Sequence, residues 1–460
     1  MHKFVNIDRD TPLLLPPDLR DWVPAEHLVH FVIDAMTELD LSTAAVNERG
    51  TGSEQYPPGL LLGLLVYSYA TGVFSSRQIE RTTYENVAVR LLCADTHPDH
   101  DTLCTFRRKN GPLLRHAFAQ ILELAARCGV LKVGGITVAI DGTKILANAS
   151  KHAAVSYAHA GQTMQILELE IAELLAKAAQ ADATPLQDGL TIPAEVQRRQ
   201  ERKAQLARAR AEMEARAYAR CQAEQAEHAA KLAARETARA AGKKPRGPEP
   251  QPPEPTPGDK DQVNFTDAES RIMKTKDGFQ QSYNAQAGVE TDSLLIVGPR
   301  VSQAPNDKKE LLPNLTAVQR HVAPATVLID SGFVSEAAVT AAERDPSGQP
   351  TGLTVLAALQ REPHARTVAQ LEQHTDPPAP SADAAFAERM RHRTATAARR
   401  ALYKLRQQTV EPVFGIIKEV LGFRRFSLRG LAKVSLEWDL VTLAYNLKRL
   451  HRLGASPRAA

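Results

Sequence analysis

The sequence predicts an α/β core, preceded by an all-α N-terminal domain and interrupted by an inserted helical hairpin. Three observations carry this. Two Val- and Ile-rich apolar runs, Ile136–Ile140 and Ala325–Ile329, each end in an acid and a turn, as Asp141-Gly142 and Asp330-Ser331-Gly332. Such runs read as buried strands that end in an acid, where open sheets place ligand-binding groups. Between them, residues 161–241 are rich in Ala, Glu, Arg and Gln and follow a helical period. Residues 1–130 place their apolar side chains at helical spacing, and 460 residues suffice for two or three domains.

In residues 1–130, Leu28, Phe31, Val32, Ala35 and Met36 recur at helical spacing. Pro57-Pro58 opens a helix over Leu60–Ala70, since proline is tolerated in a first turn. Ser75-Ser76 starts the next helix after a turn at Gly72, leading into Ile79–Tyr84. Phe106-Arg107-Arg108-Lys109-Asn110 is expected to form a basic tip that meets phosphate.

Residues 131–360 read as the α/β core, interrupted over 155–260. Within the insertion, Met164, Leu167, Ile171, Leu174 and Leu175 form an apolar stripe. Thr191–Glu195 starts a second, longer helix that thins in apolar content after Leu206 and reads as solvated. Lys243–Asp259, with prolines at 245, 248, 250, 252, 253, 255 and 257, is expected to be an extended, semi-rigid linker.

Gln281–Val289 and Ser293–Val301 then read as a hairpin around Thr291-Asp292, and Glu310–Val318 as a helix. Val327–Ile329 is the second acidic strand and Leu353–Leu359 a further one. Residues 361–395 form a linker with a Pro-rich break at Asp376–Pro380. Residues 396–460 form basic C-terminal helices, with Val413, Ile416, Ile417, Val420 and Leu421 on one face, Gly422 as a stop, and Leu431–Leu450 as the last helix. Pro412 is expected to place Glu411 at a helix start, because the residue before proline avoids the α region.

Lys and Arg total 57 against 53 Asp and Glu, a net +4, but the charge is unevenly spread. From Arg391 to Ala460 there are 15 basic residues against the 4 acids Glu411, Glu419, Glu437 and Asp439, which points to a polyanionic partner. The cysteines, Cys93, Cys104, Cys128 and Cys221, form no CxxC, and no secretory signal opens the chain, so a reduced cytoplasmic setting is expected. His97, Asp99, His100 and Asp101 fit no standard zinc spacing and read as a polar loop. Leu60–Phe74 is too short to span a bilayer and reads as a buried helix, so no membrane association is expected.

Asp141 and Asp330, with Glu411 as a third carboxylate, would make a hard oxygen cage suited to Mg²⁺ or Mn²⁺. Each Asp taken alone also fits a turn or helix cap. An aspartyl-phosphate reading of Asp141-Gly142-Thr143 fails, because Ala139 stands where the nucleophile would be. Lys418 follows Glu411 by about two helical turns and shares its face.

Several stretches together resemble a DDE transposase of a bacterial insertion sequence. Gly72–Glu80 and His97–Arg108 resemble that family's helical N-terminal domain. Ala139–Ser150 resembles the segment of the first catalytic Asp, Asp267–Lys274 and Gly278–Ala287 the strands after it, and Asp330–Phe333 the second Asp. Val410–Lys418, with Arg424-Arg425-Phe426 and Arg429-Gly430, resembles the segment of the catalytic Glu.

The resemblance implies a ribonuclease H-like mixed sheet, with Asp141, Asp330 and Glu411 as ligands of two Mg²⁺ or Mn²⁺ ions. It also implies strand cleavage at transposon ends, transfer of the 3′ hydroxyl to target DNA, and a homodimer that pairs two ends. Lys418, Arg424, Arg425, Arg107, Arg108 and Lys144 are the residues expected on DNA. A signature Tyr-x2-Arg-x3-Glu-x6-Lys is met by Tyr403 with Arg406 and by Glu411 with Lys418, but four residues separate Arg406 from Glu411. A non-catalytic, co-opted repeat-binding protein and a scaffold organised by the hairpin are the rival readings.

Overall fold

The computed structural model describes residues 18–46, 54–179, 191–242, 244–245, 247–359, 368, 376–381 and 383–459. Of the expected 361–395 linker, residues 361–367, 369–375 and 382 lie outside them, and Phe386–Ala395 is a helix, not a linker.

Helices α1 (Leu28–Thr37), α2 (Pro58–Ala70), α3 (Ser76–Glu85), α4 (Val87–Leu92), α5 (His100–Lys109) and α6 (Gly111–Arg127) build the N-terminal region. Apolar all round, α2 is buried from Leu61 to Ala70. Side chains at the boundaries punctuate the helices: Asn86 caps α4 and Asp99 caps α5. Only part of the expected polar loop at 97–101 is a loop, since His100 and Asp101 open α5; His97 stacks on Tyr84 and His100 pairs with Glu80 at 2.7 Å.

After α6 come β1 (Gly134–Leu146), β2 (Ala154–Ser156), α7 (Tyr157–Ala179), α8 (Ile192–Ala240), β3 (Gln262–Asn264), β4 (Arg271–Thr275), β5 (Gly278–Glu290) and β6 (Ile296–Ser302). The chain continues through α9 (Leu311–Gln319), β7 (Ala323–Ile329), α10 (Glu336–Glu343), β8 (Thr354–Ala357), α11 (Phe386–Ala395) and α12 (Ala397–Gly415). It ends in a π-helical turn (Ile416–Val420) and α13 (Leu431–Arg452).

The main sheet is mixed. β7 and β8 add parallel to one side of β1, β5 pairs antiparallel on its other side, and β4 and β6 share the far edge of β5. Asp141 does not end its strand, contrary to the sequence reading. Parallel pairing with β7 stops at Ile140–Ile329, but antiparallel pairing with β5 runs on to Leu146–Ser282 and keeps β1 extended.

The insertion is an antiparallel helix pair. At its root β2 pairs with β3, and Val155, Val263, Ala160, Leu206, Ala209 and Met213 form a small separate core. Farther out the two helices are joined by charged pairs, Arg199–Glu170 and Lys203–Glu168, both at 2.7 Å. The Pro-rich segment is not a free linker. It returns along α8, with Pro253 O accepting from Cys221 Sγ (3.2 Å), Pro250 O beside His228 Nε2 (3.2 Å), and Gly247 O accepting from Arg235 (2.8 Å). Backbone carbonyls that proline leaves without local partners find them on the helix.

Glu411 also departs from expectation, because α12 runs through Glu411 and Pro412 instead of starting there. Thr409, Val410, Val413 and Phe414 are buried on either side, and that burial outweighs the local preference of a pre-proline residue. Among the described residues, one hydrophobic core joins the N-terminal helices, most of the sheet and the C-terminal helices, apart from the hairpin. It runs from Leu64 and Phe118 in the N-terminal helices through Val138 and Ile140 of the sheet to Trp438 and Leu443 of α13. The amide of Asn446 seals α13 to β6, accepting from Ile296 N (2.9 Å) and donating to Ile296 O (2.8 Å).

Candidate active site

The register Ile140–Ile329 makes Asp141 and Asp330 neighbours at the carboxyl end of the parallel pair. Helix α12 lies across them. Tyr403 Oη donates to Ile329 O (3.2 Å), immediately before Asp330, and Arg406 Nη1 donates to Asp141 Oδ2 (3.0 Å). Tyr403 and Arg406 stand three apart, on one helical face, so a single helix reaches both strands.

Arg406 also faces Glu411, with Nη2 4.0 Å from Oε1. Four residues separate them, so Glu411 stands five positions on from Arg406 and is rotated toward the rim of the helix, where its side chain is 60% exposed. The extra residue in the Tyr-Arg-Glu spacing thus has a visible consequence. Arg406 itself is 11% exposed and its Nε has no hydrogen-bond partner.

Burial pushes the Asp141 carboxyl up to about 6; the Gly142 N–H (2.8 Å) and Arg406 work against that rise, while Asp307 and Asp330 add to it. Asp307, in the loop between β6 and α9, is a further acid of this neighbourhood that the sequence did not reveal. It follows no strand and sits in the ordinary polar run Asn306–Lys309, so only the tertiary fold shows it.

Three carboxylates, one within β1, one just after β7 and one on α12, offer an all-oxygen donor set, the kind Mg²⁺ and Mn²⁺ prefer. Among the described residues, no three His, Cys, Asp or Glu side chains stand close enough to share an ion, and Arg406 occupies the space between Asp141 and Glu411. In chemistry the three carboxylates fit a divalent ion, while in this structure Arg406 is the partner of Asp141.

The expected cations fall into two groups. Arg424 and Arg425 are exposed on a segment that adds to the end of β1, through Leu146 N to Arg424 O (3.1 Å) and Phe426 N to Leu146 O (2.9 Å). The fully buried carboxylate of Glu437 holds the following turn by accepting from the backbone N–H of Ser427 and Leu428. Arg108 is exposed too.

Arg107, by contrast, is not part of a surface tip. It is buried, donates to Tyr69 Oη (2.8 Å) and lies near Glu437. Lys418 is half-buried and turned onto β1, donating to Thr143 Oγ1 and Lys144 O (3.1 Å). Lys144 is half-buried, and burial lowers its pKa against the pull of Asp307, Glu310 and Asp141.

Residues 379–451 match the family model described as a transposase DDE domain, and residues 17–109 match one described as a transposase domain (DUF772). The first match contains Tyr403, Arg406, Glu411, Lys418, Arg424 and Arg425. Asp141 and Asp330 lie between the two matched segments. No curated protein and no solved structure matches the chain. No helix among the described residues is long and apolar enough to cross a membrane.

Proposed function

We propose, starting from a chain that is a DDE transposase of the insertion-sequence kind, that it cuts DNA at the inverted-repeat ends of its element and joins the freed ends to target DNA, with Asp141, Asp330 and Glu411 as the reacting site. One observation carries this reading: the Ile140–Ile329 register sets two aspartates side by side, under a helix that brings the glutamate and is tied to both strands. The sheet supports a ribonuclease H-like core, since β6, β5 and β1 run antiparallel and β7 and β8 then add parallel to β1.

Asp141, Asp330 and Glu411 would hold the Mg²⁺ or Mn²⁺ ions, two on this reading. Such ions, when bound, supply Lewis acidity to the attacking and leaving oxygens of an in-line displacement. The chain's own residues set the geometry. The two aspartates sit on paired strands, so their separation is fixed by the sheet. Tyr403 fixes the height of α12 over β7. Arg406 neutralises Asp141 until ligands arrive, and after release it is placed to meet a phosphate of the scissile strand.

In the first step a water oxygen bonds to the scissile phosphorus, the P–O3′ bond breaks, and the strand leaves as a 3′ hydroxyl. In the second, that hydroxyl bonds to a target phosphorus and displaces the target's own 3′ oxygen. No serine or tyrosine nucleophile takes part. Arg108, Arg424 and Arg425 hold backbone phosphates, so affinity falls steeply with salt. Joining two ends calls for two copies of the chain in the DNA complex.

The test is incubation with Mg²⁺ and duplexes carrying the element's ends. The wild type should yield 3′-hydroxyl nicks and joined products, and Asp141→Ala should yield neither while binding the ends as well as wild type. Specific binding by both proteins without cleavage by either would favour a repeat-binding protein that does no chemistry.

A further inference from the structure

The segment carrying Asp141 is walled on one side by two buried amides. Asn284 and Gln286 on β5 are fully buried and pair in register with Lys144 and Gly142 of β1. Their orientations are fixed by what they bind. Asn284 Nδ2 donates to Asp307 Oδ1 (2.8 Å) and Ala304 O (3.1 Å). Gln286 Nε2 donates to the same Asp307 oxygen (2.7 Å), and Gln286 Oε1 accepts from Asn314 Nδ2 (2.9 Å).

Both amides press on Gly142. A Cβ there would overlap Gln286 Nε2 and lie 2.7 Å from Asn284 Oδ1. Gly142 in turn holds the carboxylate beside it, its N–H donating to Asp141 Oδ1 at 2.8 Å. A side chain at 142 would therefore have to displace both amides. Asn284 Oδ1 has no hydrogen-bond partner, so that amide is held in place by its bonds to Asp307 and Ala304.

We propose that Asp307 is a positioning residue of the site: one carboxylate oxygen clamps both amides against Gly142 and so sets the carboxylate of Asp141. This rests on the transposase reading above. Asp307 itself touches no reacting atom. The clamp needs an acceptor at that oxygen, not a charge.

Asparagine and alanine at 307 separate the two, because an asparagine Oδ1 can still accept from both amides and an alanine cannot. Full-length wild type, Asp307→Asn, Asp307→Ala and Gly142→Ala would be compared in cleavage of end duplexes and in Mn²⁺ binding without DNA. Asp307→Ala should lower kcat at least about tenfold and weaken Mn²⁺ binding about fivefold or more, with the KM for DNA within about twofold. Asp307→Asn should recover most of both. Gly142→Ala, which displaces the amides with Asp307 intact, should resemble Asp307→Ala, so the test does not hang on one variant's folding.

Wild-type kcat and Mn²⁺ affinity in folded Asp307→Ala would overturn the proposal, and so would an Asp307→Asn as impaired as the alanine. If the wild type neither cleaves nor binds Mn²⁺, the functional reading fails and the proposal falls with it. An active wild type matched by Asp307→Ala sinks the proposal alone.

Discussion

Burial, an ion pair and two neighbouring acids act on Asp141 together, and they leave its carboxyl at about 6. Its ordinary value lies near 4, so the folded protein binds more protons than the unfolded chain between those values. Stability contributed by this group is therefore present at low pH and is lost as pH rises from about 4 to about 6. Asp141→Asn, which imitates the protonated form, should raise the unfolding free energy at pH 7 in metal-free buffer by about 2–3 kcal/mol, measured by urea titration. Arg406→Ala should act in the opposite direction. It leaves a buried carboxylate without its cation and should destabilise by about 3 kcal/mol at pH 8, but by much less at pH 5, where Asp141 can take up a proton. Equal losses at the two pH values would mean that the pair is not what Arg406 contributes. Arg107 and Arg108 divide in the same way. Arg107→Ala removes a buried donor to Tyr69 near Glu437 and should cost about 2–3 kcal/mol. Arg108→Ala should leave stability unchanged within about 0.5 kcal/mol, but should weaken DNA binding and lower its salt slope by about one.

Among the elements, the acidic strands and the C-terminal helices were legible because apolar runs and helical periods are local signals. Beyond that, partners across the chain decide. Asp141 lies mid-strand because β5 continues to pair where β7 stops, and nothing in residues 136–146 announces that. Glu411 lies inside α12 because Val410, Val413 and Phe414 are buried around it, which overrides Pro412. The Pro-rich segment docks on α8 through backbone carbonyls, which carry no side-chain signature. Asp307 was invisible for the same reason, since a loop aspartate acquires a role only from the amides it meets. The hairpin has a small core of its own, set apart from the main one. Met213→Ala should therefore loosen the helix pair by about 2 kcal/mol, seen as faster hydrogen exchange in 192–240, while the main unfolding transition stays in place. A matching drop in the main transition would mean that hairpin and core unfold as one.

Across the whole molecule, the two segments that match transposase families are far apart in sequence yet share one core. Helix α13 packs against α2, α6 and β6, so the N-terminal helices rest on the helix that follows the glutamate segment. Asp267 accepts from Tyr283 Oη and from Gly430 N, and Glu269 accepts from Leu431 N, which ties the start of α13 to the approach of β4. The packing of α13 on α2 brings the two matched segments into contact. The account stands on Asp141, Asp330 and Glu411 being metal ligands of one reacting site, and a change of ligand tests that most directly. Asp330→Cys replaces a hard oxygen with a soft sulfur, so the metal requirement should move with the atom. The account predicts that Asp330→Cys loses end cleavage in Mg²⁺ and regains a substantial part of it in Mn²⁺ or Cd²⁺. Wild-type cleavage by this variant in Mg²⁺, or cleavage lost with every metal while Mn²⁺ binding stays at the wild-type level, would contradict it.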